Sequence, residues 1–158
     1  MAAKASTAHD HRPCLDDAIV RAEQAFDSRS LKFTPLRRQV FEEIAASHDA
    51  VGAYDVLDRL VRKTGERMAP VSVYRAIDAL LQAGVVHRLE SRNAFFACHT
   101  PHAGRRHIAL VCETCRTVSE VDGTTVFGAI DTEMTRASFT VRSVVVEVAG
   151  VCAACDRL

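Results

Sequence analysis

Two pairs of cysteines, each spaced by two residues, impose the strongest constraint on how this chain can fold. The first pair is Cys112 and Cys115, and the second pair is Cys152 and Cys155. A CxxC turn places two thiolates at the separation that tetrahedral Zn²⁺ requires, so two turns can supply a closed shell of four sulfurs. The pairs are far apart in sequence, so the fold must bring them together. The sequence therefore predicts a structural zinc site that fixes the C-terminus to a neighbouring sheet.

Two other interpretations of these cysteines are a redox dithiol and ordinary buried thiols. A lone CxxC motif is ambiguous between such roles, but two motifs within one small domain favour a metal site. The remaining thiol near the N-terminus, Cys14, stands apart from both pairs. We expect it to be unpaired and exposed to solvent.

The composition is that of a globular protein and excludes several classes. Of the 158 residues, 48% are hydrophobic and 25% are charged, which is typical of a folded domain. No apolar run is long enough to span a bilayer, and the polar segment Met1–Pro13 lacks the core of a signal peptide. We therefore expect a cytoplasmic protein with no membrane partner. Because 20 Lys and Arg are matched by 20 Asp and Glu, contact with DNA must depend on the local placement of basic residues.

Four amphipathic helices are predicted in the first half of the chain. Apolar residues recur there at three- and four-residue intervals. Thr34 followed by Pro35 is typical of a helix start, and Gly65 and Gly84 are typical of helix ends. The approximate predicted spans are Asp16–Ser28, Pro35–Ser47, Ala53–Thr64 and Pro70–Ala83.

A β-hairpin is predicted directly after the fourth helix. Its strands are Val85–Glu90 and Ala94–Cys98, and Ser91–Asn93 forms the turn. Four helices followed by a two-stranded ribbon is the order of a winged helix-turn-helix domain. Such a domain lays its last helix, here roughly Val71–Ala83, in the major groove of DNA.

The last third of the chain predicts a small α/β domain. Strands are expected at Ile108–Val111, Val118–Val121 and Val141–Val148, with a helix around Val126–Met134 between the second and third. The third strand is rich in valine, so we expect one of its faces to be buried against the helix and a partner chain. The predicted protein is thus a homodimer.

The predicted fold class is α+β, with an N-terminal winged helix-turn-helix domain and a small α/β dimerisation domain. The organisation has four parts. In chain order they are a flexible N-terminal arm (1–14), the winged-helix DNA-binding domain (15–98), a hinge loop (99–106) and the zinc-stabilised dimerisation domain (107–158).

A second set of candidate metal ligands brackets the predicted hinge. His87 and Cys98 lie in the two wing strands, while His107 and Glu120 lie in the first two strands of the C-terminal domain. Two imidazoles, one thiolate and one carboxylate suit tetrahedral Zn²⁺, and the thiolate favours zinc over Mg²⁺, Ca²⁺ or Mn²⁺. The residues alone leave this site open, because each one also has an ordinary role as a surface, core-filling or solvated strand residue.

Several segments together resemble the ferric uptake regulator family of metal-dependent bacterial repressors. They are Leu31–Arg37, Gly52–Leu57, Val73–Leu80 and the two CxxC pairs, and the resemblance spans roughly Asp16–Cys155. The wing histidine His87, the turn at Glu90 and Ser91, and Cys98 are similar to the zinc-responsive branch of the family. Iron sensors of the family usually have no cysteine at that position.

The resemblance implies a zinc-responsive repressor of zinc uptake genes that binds double-stranded operator DNA as a homodimer when its sensory site is filled. It implies about two Zn²⁺ per chain, one held by the four CxxC cysteines and one by the mixed donors. His107 is the preferred third sensory ligand because it stands five residues before Cys112, where many relatives have a ligand histidine. His99 and His102 are the alternatives.

Candidate contacts with DNA follow from the recognition helix and from the resemblance. The candidates are Arg75, Tyr54, Arg37, Ser72 and Tyr74. Arg75 is suited to a bidentate contact with guanine, and Tyr54 resembles the family tyrosine that contacts base or backbone. Arg37 would contact phosphate. Two alternatives stay open, since Tyr74 could pack in the core and Arg37 could be a solvated helix charge.

Other functions remain as alternatives. The nearest is an iron-, manganese- or peroxide-responsive regulator of the same family. A zinc or dithiol enzyme is disfavoured, because the sequence has no Gly-rich phosphate loop or helical HExxH motif, and a four-sulfur zinc leaves no position for substrate. We expect no enzymatic activity and no small organic substrate. A further alternative is a zinc-stabilised protein-interaction module, which would not require an exposed Arg75.

Overall fold

The computed structural model describes residues 11–46, 48–98 and 106–157. The chain divides into two compact units, Met1–His99 and Thr100–Leu158. Most of the predicted N-terminal arm and hinge loop lies outside the described residues, and so do His99, His102 and the side chain of Cys14. No helix in the described part of the chain combines the length and apolar character needed to cross a membrane.

Four helices form most of the first unit. They are α1 (His11–Ser28), α2 (Pro35–Ala45), α3 (Ala53–Thr64) and α4 (Pro70–Ala83). Helices α2, α3 and α4 begin where the sequence predicts. Helix α1 begins earlier than the predicted Asp16, so residues 11–14 are helical rather than part of a flexible arm. Pro13 is compatible with this start because backbone N–H groups in the first turn have no partner within a helix.

The predicted signals at the helix ends are confirmed. The Thr34 side chain accepts a hydrogen bond from the Arg37 backbone N–H at 3.4 Å, with Pro35 in the first turn of α2. Helices α3 and α4 end at Gly65 and Gly84, which have φ values of 72° and 71°. This left-handed conformation suits glycine because a Cβ atom would strain it.

The core of the first unit is formed by the apolar faces of these helices. Its largest fully buried side chains include Phe26, Phe41, Ile44, Leu60, Ile77 and Leu80. Helix α4 contributes its buried side, including Val73, to this core. The opposite face of α4 is therefore left for solvent or a ligand.

The wing follows α4 as an antiparallel hairpin. Strand β1 (Val86–Leu89) and strand β2 (Ala94–Ala97) are joined by a 3₁₀ turn at Glu90–Arg92. His87 is paired with Phe96 across the ribbon. Asn93 has a φ of 47° and so ends the turn in the left-handed region, which asparagine tolerates. The order of helices and ribbon confirms the predicted winged helix-turn-helix fold.

Residues 106–157, the described part of the second unit, form a three-stranded sheet with one helix. Its elements are β3 (His107–Cys112), β4 (Val118–Asp122), α5 (Thr124–Arg136) and β5 (Glu147–Gly150). The strand order is β4-β3-β5, with β4 antiparallel and β5 parallel to the central β3.

The predicted last strand, Val141–Val148, was wrong in its extent. Strand β5 begins only at Glu147, where its pairing with Ala109 of β3 begins. Valine-rich sequence favours a strand, but hydrogen bonds from a neighbouring strand decide where the strand lies. The expected burial is also incomplete within the chain, because Val145 is 55% exposed and Val148 is 49% exposed.

Candidate metal centres and nucleic-acid interface

The four cysteines meet at one end of the sheet in the second unit. Cys112 is the last residue of β3 and pairs in register with Gly150 at the end of β5. Strands β3 and β5 are parallel, so their carboxyl ends lie at the same edge of the sheet. The turn that carries Cys115 follows the end of β3, and the segment that carries Cys152 follows the end of β5. The four sulfur atoms all lie within 4.8 Å of one another.

The sulfur geometry suits a tetrahedral metal ion. With Zn–S distances of about 2.3 Å, the sulfurs of a tetrahedron lie about 3.8 Å apart. The Cys115 and Cys152 sulfurs are 3.8 Å apart. The Cys152 backbone N–H also donates to the Cys112 sulfur at 3.3 Å, which favours a thiolate at that position.

The thiols of the cluster differ in how readily they ionise. Hydrogen bonds from backbone groups, first that of Cys115 and then that of Cys152, lower the pKa of Cys112 to about 6. Burial, followed by the neighbouring sulfurs, raises the pKa of Cys155 to about 12. The cluster therefore has one thiol that ionises readily and one that holds its proton until a cation offsets the negative charge.

In the first unit, the wing brings two candidate ligands together. His87 faces Phe96 across the ribbon, and the Cys98 backbone N–H donates to the Val85 carbonyl at 3.0 Å, which continues the pairing. Cys98 is two residues beyond Phe96, so it lies on the same face of the ribbon as His87. A nitrogen of His87 and the sulfur of Cys98 lie within 4.8 Å of each other.

In the second unit, strands β3 and β4 bring two further candidate ligands together. The register pairs Ala109 with Glu120, so His107 and Glu120 lie on one face of the sheet. His107 Nε2 lies 3.0 Å from Glu120 Oε1, and only 2% of the Glu120 side chain is exposed. A carboxylate this deeply buried requires a hydrogen-bonding or cationic partner. The imidazole supplies one contact, and a metal ion would suit the same two groups.

Arg106 attaches the start of β3 to helix α5. Its guanidinium forms two hydrogen bonds with the Asp131 carboxylate, including Nη1 to Oδ1 at 2.9 Å, and lies 4.9 Å from the centroid of the Phe127 ring. The ion pair lowers the pKa of Asp131, mainly through the hydrogen bond from Arg106. The Gly123 N–H donates to the Arg106 carbonyl at 3.1 Å. This arrangement, here called the Arg106 clamp, fixes the residue directly before His107.

The sequence did not predict the Arg106 clamp. Arg106 and Asp131 are 25 residues apart, and neither belongs to a motif with local spacing. The need for glycine at position 123 becomes evident only from the structure. A Cβ atom there would lie 2.5 Å from the Phe127 ring. The close approach of this backbone to the ring requires glycine.

The N-terminal turns of α3 and α4 present aromatic and basic side chains on the surface of the first unit. Tyr54 is 65% exposed and Tyr74 is 41% exposed, and their rings meet edge to face with centroids 6.2 Å apart. Arg75 is also exposed, while Ser72 is partly buried. The alternative that Tyr74 packs in the core is therefore wrong.

Arg37 has local contacts that the sequence did not predict. Its guanidinium donates to the Lys32 carbonyl and lies 5.7 Å from the centroid of the Phe26 ring. Arg37 is thus partly buried rather than a fully solvated helix charge. These contacts attach the first turn of α2 to the preceding loop and to the core.

The chain is similar to known regulators over most of its length. The model of the ferric uptake regulator family matches residues 28–149. The zinc uptake regulation protein of Escherichia coli (strain K12) is 34% identical over 140 residues, which cover 88% of this chain and 81% of that protein. The solved structure of a zinc uptake regulator complexed with zinc and DNA is 32% identical with a TM-score of 0.81, covering 90% of this chain and 95% of that chain. The crystal structure of holo XcZur is 35% identical with a TM-score of 0.81, covering 90% and 99%.

Proposed function

The chain belongs to the ferric uptake regulator family, and we propose that it is a zinc-responsive repressor of zinc uptake genes. It binds double-stranded operator DNA in the cytoplasm as a homodimer when a sensory zinc site is filled. One observation carries this proposal: a winged-helix unit with exposed Tyr54, Tyr74 and Arg75 is joined in one chain to a unit that groups four cysteine sulfurs. The similarity to a zinc uptake regulation protein supports zinc as the signal.

The four-cysteine cluster is proposed to hold the structural zinc. Cys112, Cys115, Cys152 and Cys155 form a closed shell, which leaves no position for a substrate or a signal. Few apolar side chains are buried among the described residues of the second unit, chiefly Ile108, Val111, Val118 and Phe127. A core of that size supplies little hydrophobic stabilisation, so a metal that joins the ends of β3 and β5 would contribute much of the stability of the unit.

The mixed donors are proposed to hold the sensory zinc. His87 and Cys98 would come from the first unit and His107 and Glu120 from the second, which gives about two Zn²⁺ per chain. Ligands shared between two units stabilise only the state in which all four can reach one ion. Zinc concentration would therefore set the fraction of protein in the DNA-binding state.

The DNA contacts are proposed to come from the exposed face of α4 and from the start of α3. Arg75 would bind guanine through two hydrogen bonds, worth about 1 to 3 kcal/mol of discrimination. Tyr54, Tyr74 and Ser72 would contact bases or backbone. Arg37 would contact phosphate while keeping its bond to the Lys32 carbonyl.

The second unit supplies the proposed homodimer surface. Strand β5 is an edge strand of the three-stranded sheet, and several large apolar side chains of this unit are exposed. They are Val121, Val126, Phe139, Val145, Val148 and Val151. Association of two chains would cover an open strand edge and exposed apolar side chains. A second copy of the chain has the same surface, so two copies can cover each other.

Metal-selective DNA binding tests the proposal. Protein that carries zinc in the four-cysteine cluster alone would be titrated with Zn²⁺, Fe²⁺ or Mn²⁺ in the presence of promoter DNA from zinc-transporter genes. We expect Zn²⁺ to induce binding at lower free concentration than either other metal. Binding induced preferentially by Fe²⁺ or Mn²⁺ would identify a different sensor of the family, and binding independent of metal would contradict regulation.

A further inference from the structure

The exposed apolar side chains of the first unit are concentrated where DNA is proposed to bind. Among the described residues of this unit, the large hydrophobic side chains that are exposed are Val20, Tyr54, Val71 and Tyr74. Three of the four lie in the first two turns of α3 and α4. Val71, the second residue of α4, is 53% exposed.

Val71 heads the exposed face of α4. Tyr74 and Arg75 follow it by three and four residues, and residues at these spacings lie on the same side of a helix. Val73 and Ile77 point instead into the core, where both are almost fully buried. A single exposed valine is ordinary on a protein surface. Val71, however, lies beside Arg75 on the face proposed to bind DNA. A group on the DNA is therefore a specific candidate partner for Val71.

The chemistry of that partner follows from the valine side chain. An isopropyl group has no atom that can donate to phosphate or to a base edge. In the major groove the matching apolar group is the C5-methyl of thymine. We propose, on the basis of the proposed function, that Val71 contacts a thymine methyl group and so makes the protein select a T·A pair.

The spacing along α4 also limits where that thymine lies. Residues four apart on a helix face have Cβ atoms about 5 to 6 Å apart, while successive base pairs are about 3.4 Å apart. The thymine contacted by Val71 therefore lies within a few base pairs of the guanine contacted by Arg75, whose longer side chain can reach past the adjacent pair.

Replacing thymine by uracil tests the contact, since uracil pairs in the same way but lacks the methyl group. A duplex selected from random sequence by the zinc-loaded protein would be synthesised once with thymine and once with uracil at every thymine position. Zinc-dependent affinity for both duplexes would be measured for the wild type, for Val71→Ala and for Val20→Ala. Val20 is a matched control because it is 51% exposed and lies on α1.

We expect the wild type and Val20→Ala to lose affinity equally when uracil replaces thymine. Val71→Ala should bind the thymine duplex more weakly than the wild type does. When uracil replaces thymine, however, the affinity of Val71→Ala should fall less than that of the wild type. The difference should be about fourfold per half-site, the effect of burying one methyl group. Other thymine contacts are common to all three proteins and cancel in this comparison.

One result would overturn the inference. A Val71→Ala protein that keeps the wild-type ratio of thymine to uracil affinity shows that Val71 contacts no methyl group. If that protein also binds both duplexes more weakly than the wild type, Val71 acts through the fold or the DNA backbone. The proposed function fails separately, if wild-type protein loaded with zinc enriches no sequence from the random pool.

Discussion

The four-cysteine cluster and the mixed donor pairs use similar side chains but are placed differently in the chain. The cluster lies wholly within the second unit, at the ends of β3 and β5. The mixed donors occur as His87 with Cys98 in the first unit and His107 with Glu120 in the second. A metal bound within one unit stabilises that unit. A metal whose ligands come from two units also stabilises one arrangement of those units over others. If the proposed roles are correct, location distinguishes the structural zinc from the sensory zinc more than ligand type does.

The largest expected effect is that of removing a ligand from the cluster. Cys112→Ser should lose the structural zinc and unfold the second unit, because binding free energies of about 10 kcal/mol or more for such sites are comparable to the whole stability of a domain. Zinc content and circular dichroism would measure this. Cys14→Ser is the control that removes a thiol outside both ligand sets. A folded Cys112→Ser protein that retains two zinc ions would contradict the assignment of the cluster.

Removing a mixed ligand should have a large effect on DNA binding and a small one on the fold. Cys98→Ser should lose one zinc per chain and bind operator DNA only at the non-specific level, a decrease of about 10³-fold or more. The dimer and the second unit should remain folded, as sedimentation and thermal unfolding would show. Dissociation of the dimer would instead make Cys98 a structural residue.

The zinc affinity of the four-cysteine cluster should depend strongly on pH. The pKa of Cys112 is lowered to about 6 and that of Cys155 is raised to about 12. Between pH 6 and 9 zinc must therefore displace a proton from Cys155, and the affinity of the cluster should rise at least tenfold per pH unit. Below about pH 6 Cys112 also takes up a proton, so the affinity should fall more steeply as pH decreases. Chelator competition would measure the zinc affinity of the cluster at each pH. An affinity that is constant with pH would contradict the displacement of a proton from Cys155.

The smallest expected effect comes from the Arg106 clamp. Arg106→Ala removes an ion pair whose side chains are each 47% exposed, so solvent screening should keep the loss of stability small. Because His107 follows Arg106 directly, we expect affinity for the sensory zinc to fall a few-fold while the cluster is unaffected. Arg136→Ala, which breaks the ion pair with Glu133 on the same helix, is the matched control. Equal effects of the two variants on zinc affinity would show that the clamp does not position His107.

Local signals made much of the fold predictable. The starts of α2 and α4 follow from Thr34, Pro35 and Pro70, and the end of α4 follows from Gly84, whose conformational preference acts within one turn. The grouping of the four cysteines was likewise predicted, because two CxxC motifs within one small domain favour a metal site.

The features that the sequence did not predict depend on distant residues. The extent of β5 is set by its pairing with β3, and the contact of Arg106 with Asp131 joins residues that no periodicity connects. The contacts of Arg37 with Lys32 and Phe26 require the path of the preceding loop. Such contacts arise from tertiary packing, which residue preferences alone do not specify.

We propose that one zinc stabilises the second unit and another switches DNA binding. Operator affinity measured as a function of zinc bound per chain, with native mass spectrometry counting the metal ions, tests this division of roles. We predict that protein with one zinc per chain is folded and dimeric but binds DNA only non-specifically, and that the second zinc restores specific binding. Specific binding that is already complete at one zinc per chain would contradict the claim.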